Sequence, residues 1–166
     1  LLNLTYPGGP EIQKVAAKGN PAAINFPRPM LNQLSNEKNY DFSFSGLKTS
    51  VLYYLRDHSK LKTQNSQLVA DVAASFQQAV VDVLVGKTIR AARKHGVQSV
   101  LLCGGVSANK HLRETLRIKT DSLNLNFFVP DFEYNTDNAA MIAAAAYIQE
   151  LKKKKLRITA QSNLSL

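Results

Sequence analysis

The chain has 166 residues and a formal net charge of +9; 45% of its residues are apolar and 20% are charged. This composition excludes an intrinsically disordered chain, and the length suits one domain with a core better than two. No uninterrupted apolar run reaches the roughly 18 residues of a membrane span, so we expect a soluble protein without a membrane partner. The first residues lack a methionine and a basic stretch, which argues against a signal peptide and suggests a chain cut from a longer one.

Cysteine and histidine usage narrows the possible sites. Cys103 is the only cysteine, so no internal disulfide can form and a reducing, cytoplasmic location is expected. The three histidines, His58, His95 and His111, have no metal-ligand spacing, so they predict no metal site of their own.

A basic segment carries more than half of the net charge: Lys152, Lys153, Lys154, Lys155 and Arg157. Such a run is typical of a solvated, flexible tail. We therefore predict one domain over residues 1–151 and a basic tail over residues 152–166. The charge that remains is compatible with a nucleic-acid partner but does not require one.

Three short elements are predicted in the first third. Residues Ile12, Val15 and Ala16 have helical spacing between turn-forming segments. Residues 41–46 alternate polar and aromatic side chains, as a short strand with one buried face would. Residues 47–56 carry apolar side chains at helical intervals and predict a second helix.

Residues 68–95 form the longest helical pattern, and Gly96 is suited to end it. The pattern is apolar over most of its circumference, which predicts a buried helix. Its exception is one polar stripe, Asp71, Ser75, Gln78 and Asp82. The stripe favours a solvent-facing side, with a cleft lining as the alternative.

The last third predicts strand, helix, strand and helix in that order. Residues 99–103 form an apolar run that is typical of a strand covered on both faces, and residues 125–129 form the second strand. Helices are predicted from Ala108 to about Lys119 and from Asn138 to Lys153, and the alanines of the latter suggest close packing. The order predicts parallel strands in an α/β fold with flanking helices.

Both strand-to-helix loops should open on one edge of this sheet, where ligands of open α/β sheets bind. The first loop contains Gly104 and Gly105 before a helix, which is compatible with nucleotide or phosphate binding and equally with a tight turn. Ser107 and Asn109 can cap that helix or donate to a ligand. In the second loop, Asp137 lies at a helix start, where it can serve as a hard-metal ligand or as a cap.

Four motifs, in order, resemble the TsaD family of tRNA adenosine threonylcarbamoyltransferases: YPGGP at 6–10, DFSFSGLK at 41–48, GGVSAN at 104–109 and TDNAAMI at 136–142. The resemblance covers the second half of the family's length. It implies the C-terminal part of an ASKHA (actin and sugar-kinase) fold with a mainly parallel sheet.

The resemblance also implies an activity and a site. Family members transfer threonylcarbamoyl from threonylcarbamoyl-AMP to adenosine 37 of tRNAs that read ANN codons, with TsaB-like and TsaE-like helper proteins. By position, Gly9 and Asn109 would bind the adenylate or another adenine nucleotide, with the Gly104–Gly105 turn close to it. Asp137 would ligate a divalent metal, iron or alternatively zinc. An acidic ribose contact of the family is replaced here by Gln13, so that role is not carried over.

The family's other metal ligands, two histidines in an HxxxH motif, are not in this chain. We therefore expect the chain to be inactive by itself. The alternatives are another ASKHA enzyme, such as a sugar or acetate kinase, a non-catalytic paralogue that binds a partner, and a basic RNA-binding module.

Overall fold

A computed structural model describes residues 2–31, 40–58 and 66–152 of the chain. Its α-helices are α1 (Gly8–Ala16), α2 (Ser45–Asp57), α3 (Ser66–His95), α4 (Lys110–Asp121) and α5 (Ala139–Leu151). The strands are β1 (Ser99–Leu101) and β2 (Asn126–Phe128), and 3₁₀ turns occupy Gly105–Ala108 and Phe132–Tyr134. All but the first residue of the predicted tail, 152–166, lies outside the described residues.

Helix α3 is the central element, as its pattern predicts. Twelve of its 30 residues are buried, and α1, α2 and α4 all contact it. Gly96, with φ of 60°, follows the helix. The amide of Gly96 donates to the Arg93 carbonyl, and that of Val97 donates to the Ala92 carbonyl. This is a Schellman C-cap, which favours glycine because its φ is positive.

Length and composition alone would allow α3 to cross a membrane, since an 18-residue window has a mean hydropathy of 1.6. The sequence prediction overlooked this because polar residues interrupt the apolar run. Half of that window is buried inside the structure. Core helices of soluble proteins pass the same test of length and composition, so this feature is weak evidence for a membrane span.

The polar stripe of α3 is neither a solvent face nor a cleft lining. Three of its four residues bind the segment that follows α1, and Gln78 bonds to His111 of α4 instead. The Asn20 amide donates to Asp71 Oδ1 over 2.8 Å, and the Ile24 amide donates to Ser75 Oγ over 3.1 Å. Arg28 forms a 2.9 Å ion pair with Asp82. The stripe therefore supplies partners for backbone groups that a helix surface would otherwise leave unpaired.

Helix α1 packs closely on α3 through small side chains. Ala16, Ala73 and Ala74 are buried together. A Cβ at Gly19 would lie 2.0 Å from the Ala70 carbonyl oxygen, so this approach requires glycine. The packing fixes the start of α1, which carries Gly9, relative to the rest of the fold.

The strand predicted at residues 41–46 is wrong, because Asp41–Phe44 are irregular and α2 begins at Ser45. Phe44 packs against the core cluster, while Phe42 is half exposed. The buried ammonium of Lys87 donates a hydrogen bond to the Asp41 carbonyl. The alternation of polar and aromatic residues therefore occurs in an irregular segment. The Lys87 side chain, and not a neighbouring strand of the described residues, binds its backbone.

The sheet confirms the predicted parallel pairing, with Ser99, Val100 and Leu101 opposite Asn126, Phe127 and Phe128. Helix α4 connects the strands and packs Leu112 and Leu116 against α3. Val100 is buried, but Leu101 is 72% exposed. The expectation of a strand covered on both faces therefore does not hold within the described residues.

Helix α5 forms where predicted but has no buried residue. Its exposed large apolar side chains are Met141, Ile142, Tyr147, Ile148 and Leu151. The close packing expected from its alanines is therefore not formed with the described part of the chain.

Candidate functional site

The two loops that follow β1 and β2 meet at one edge of the sheet, as the parallel order predicts. Ser107 Oγ lies 2.6 Å from Asn135 Oδ1 and 2.6 Å from the Gly104 carbonyl oxygen. Ser107 is fully buried and Asn135 is 5% exposed. The contact restrains both side chains because they are buried. If it broke, neither oxygen could form a hydrogen bond to water in its place.

Arg113 of α4 ties the same loops together from the helix side. Its Nε donates to the Ser107 carbonyl, and its Nη2 donates to the Pro130 carbonyl over 3.1 Å. The guanidinium carbon lies 4.3 Å from the centre of the Phe132 ring, a cation–π distance. One planar cation thus contacts one loop through Ser107 and the other through Pro130 and Phe132.

The two loops and the start of α1 line a pocket of about 470 Å³ that is open to solvent. Gly9 and Gln13 line it from α1, Gly105 and Asn109 from the first loop, and Phe132 from the second loop. The predicted site residues Gly9, Gly105 and Asn109 are therefore together, although 100 positions separate Gly9 from Asn109. The volume of the pocket lies in the range of pockets that bind small molecules.

Gly104 forms the turn instead of lining the pocket. Its φ is 85°, a conformation that favours glycine, and it is followed by the 3₁₀ turn Gly105–Ala108. Apart from Gly105 and its chain neighbours, no atom of the described residues lies within 4 Å of a Cβ built at Gly105, so the backbone there is open to a ligand. The tight-turn interpretation therefore holds for Gly104, and the ligand-approach interpretation remains for Gly105.

The start of α4 is not a free anion site. The Lys110 amide donates to Gln13 Oε1 over 2.7 Å, and the Leu112 amide donates to Asn109 Oδ1 over 2.9 Å. The Asn109 amide donates to the Val106 carbonyl over 3.0 Å. The protein thus uses three of the four N–H groups that a helix start leaves available. The helix start therefore offers little to a phosphate group, one of the ligands that the sequence of the first loop allows.

Asn109 caps α4, which confirms one of the two roles that the sequence allowed, and keeps a donor for the other. Its Oδ1 caps α4, and its Nδ2 donates to Gln77 Oε1 over 2.8 Å. A side-chain amide nitrogen carries two hydrogens, so one stays available beside the pocket. The cap and the Gln77 bond fix the amide plane and thus the direction of this donor.

Asp137 lies in the loop that precedes α5, and its side chain is exposed. The cap of α5 is Asn138, whose Oδ1 accepts from the Met141 amide over 2.9 Å. The alternative interpretation of Asp137 as the cap is therefore wrong. Asp137 makes no hydrogen bond or ion pair within the described part of the chain.

Asp137 does not line the pocket that holds Gly9 and Asn109. Residues 2–31, 40–58 and 66–152 contain no group of three histidine, cysteine or carboxylate side chains placed to hold a metal. An exposed carboxylate could serve a hard or borderline metal as one ligand, and any further ligands would have to come from outside these residues.

Three contributors to the site escaped the sequence interpretation: Arg113, Phe132 and Asn135. No motif marks them, because their roles depend on the distance between two loops more than twenty residues apart. The role of Gln13 was also missed, since its contact with Lys110 crosses from α1 to α4.

Comparison with known proteins identifies the family. The sequence model of TsaD, tRNA N6-adenosine threonylcarbamoyltransferase, matches residues 1–144. The protein of that name from Moorella thermoacetica is 50% identical over 153 residues, which are 92% of this chain and 43% of the relative. That from Thermosipho melanesiensis is 46% identical over 166 residues, 100% of this chain and 48% of the relative.

A third relative of the same name, from Desulfotalea psychrophila, is 49% identical over 156 residues, 92% of this chain and 43% of its own length. The chain spans somewhat less than half the length of these curated relatives. The match nevertheless includes both loops and the start of α1, which together form the pocket. The chain belongs to the TsaD family, whose members are named tRNA N6-adenosine threonylcarbamoyltransferases.

Proposed function

We propose that this chain is the C-terminal part of a tRNA threonylcarbamoyltransferase with an ASKHA fold, and that its pocket binds the adenylate substrate. The observation that carries the proposal is that Gly9 and Asn109 line one pocket in a chain that the family model matches over residues 1–144. The reaction transfers threonylcarbamoyl from threonylcarbamoyl-AMP to adenosine 37 of ANN-decoding tRNAs in the cytoplasm.

In this reaction the exocyclic amine of adenosine attacks the carbamoyl carbon, the bond between that carbon and the phosphate oxygen breaks, and AMP leaves. The amine releases one proton, which the departing phosphate or water accepts. The remaining Nδ2 hydrogen of Asn109 and the open backbone at Gly105 would hold the adenylate in place.

Asp137 would supply one ligand to a divalent metal, iron or alternatively zinc, and the other half of the protein would supply the remainder. When bound, such a metal stabilises negative charge on a substrate oxygen. TsaB-like and TsaE-like proteins are proposed as helpers, with tRNA as the polyanionic partner.

A kinase of the same superfamily is disfavoured because the family model that matches is that of the transferase. An assay of threonylcarbamoyl transfer distinguishes the proposed enzyme from the non-catalytic, partner-binding alternative. We expect the chain alone to form no threonylcarbamoyladenosine. A full-length chimera, made by joining it to the remaining half of the Moorella thermoacetica relative, should form the product.

The test is mass spectrometry of tRNA nucleosides after incubation with threonylcarbamoyl-AMP and the helper proteins. The unaltered Moorella thermoacetica protein is the positive control. Product from the chain alone would contradict the division of the site between two halves. A folded chimera without activity would favour the partner-binding alternative.

A further inference from the structure

Phe132 is an exposed aromatic residue at the wall of the pocket. It opens the 3₁₀ turn Phe132–Tyr134, lines the pocket with Gly9 and Asn109, and is 56% exposed. Contact between a large apolar ring and water is unfavourable, and a partner that covers the ring removes it. Because Phe132 lines a pocket, a ligand in that pocket would cover the ring.

Arg113 holds Phe132 in position. Its guanidinium lies over the ring at 4.3 Å from the centre and is itself fixed by the carbonyls of Ser107 and Pro130. The cation therefore covers one ring face, while the rest of the ring remains for the pocket. A ring held in this way loses little freedom when a ligand stacks on it.

The other lining residues favour a neutral, flat ligand group. None of the described residues that line the pocket carries a charge, and Pro10, Val106 and Ala108 add apolar surface. The two side-chain amides, Gln13 and Asn109, can bond to the edge of a base. A phosphate would find no cation among the lining residues, whereas a purine would find a ring to stack on and polar groups at its edge.

We propose that Phe132 is the stacking residue for the adenine base of the adenylate, and that Arg113 is its positioning residue. This inference rests on the proposed function, because the adenylate is the ligand that supplies the base. It places the base between α1 and the second loop, and the phosphate outside this neutral pocket.

The test is an NMR titration of the complete 166-residue chain with AMP and, separately, with ribose 5-phosphate, which lacks the base. Phe132→Leu should weaken AMP binding by about 5- to 150-fold, the range of base stacking on an aromatic side chain. Phe132→Tyr should keep the affinity, since it keeps the aromatic face. Binding of ribose 5-phosphate should be the same in both variants.

Phe128→Ala is the matched control, because Phe128 is also 56% exposed but lies on β2 outside the pocket. It should leave the AMP affinity unchanged. Equal AMP affinity in the Phe132→Leu and Phe132→Tyr variants would overturn the stacking role and leave the proposed function intact. A parent chain that does not bind AMP would contradict the proposed nucleotide pocket, and the stacking role with it.

The target adenosine of tRNA is a second source of the same base. An adenosine-containing RNA heptamer should therefore bind the parent chain and the Phe132→Leu variant equally. A heptamer whose binding depends on Phe132 more strongly than that of AMP would assign the ring to the tRNA base and overturn the assignment to the adenylate.

Discussion

Replacement of Asp137 by alanine in the full-length chimera should lower its metal affinity by more than about 100-fold and abolish threonylcarbamoyl transfer. Loss of a residue that only orients a metal ligand costs about 10- to 100-fold in affinity, so loss of a ligand should cost more. Because Asp137 is exposed and does not cap α5, the melting temperature of the metal-free protein should change little. Metal analysis and a thermal melt of the same sample measure both quantities.

Asn138→Ala is the matched control for this prediction. It removes the side chain that caps α5, next to Asp137 in the chain. The free energy of unfolding should fall by about 0.5–2 kcal/mol while the metal is retained. If Asp137→Ala keeps its metal and Asn138→Ala loses it, the assignment of the ligand is wrong. The contrast separates a ligand from a cap although the two residues are neighbours.

Arg113→Ala should loosen both loops of the site at once. The variant removes charge-assisted hydrogen bonds to two carbonyls and a cation–π contact. We expect a loss of about 1.5–3 kcal/mol in the free energy of unfolding. Amide hydrogen exchange should become faster around Ser107 and around Phe132 together, because Arg113 joins the two segments. Denaturant unfolding and exchange mass spectrometry measure these effects on the chain itself.

Arg117→Ala serves as the comparison, since Arg117 follows one turn later on α4 and its guanidinium lies 5.5 Å from the Phe127 ring. Arg117 is exposed, so its loss should cost less than about 1 kcal/mol. Faster exchange in only one of the two loops of the Arg113→Ala variant would show that Arg113 does not couple them.

Elements that depend on local pattern were predictable from the sequence. The apolar circumference of α3 and the glycine at its end specify a buried helix and its C-cap. The alternation of two strands with helices specifies parallel pairing and brings the two loops to one edge. In each case the signal lies within one segment or in the order of segments.

Side-chain partners over long sequence distances were not predictable. The stripe on α3 looks the same whether it faces water or binds residues 20–28, and only the folded path of that segment decides. Alternation at residues 41–46 predicted a strand, but a strand also needs a backbone partner, which the described residues do not provide. Likewise, Asn138 and Asp137 compete for one cap position, and the backbone conformation selects Asn138.

The candidate site was predicted in part for the same reason. Motif positions identified Gly9, Gly105 and Asn109, and the fold places them in one pocket. Arg113 and Phe132 were missed, because a cation–π contact between α4 and a distant loop leaves no pattern in the sequence.

Titration of the 166-residue chain with AMP, followed by NMR of its backbone amides, tests the proposed nucleotide pocket. If α1 and the first loop form one nucleotide pocket, the amide signals of Gly9, Gly105 and Asn109 should shift together with a single dissociation constant. The Ser45–Asp57 helix, which lies outside this pocket, should show no shift. Shifts confined to α2, or shifts of Gly9 without Asn109, would show that α1 and the first loop do not bind one nucleotide together.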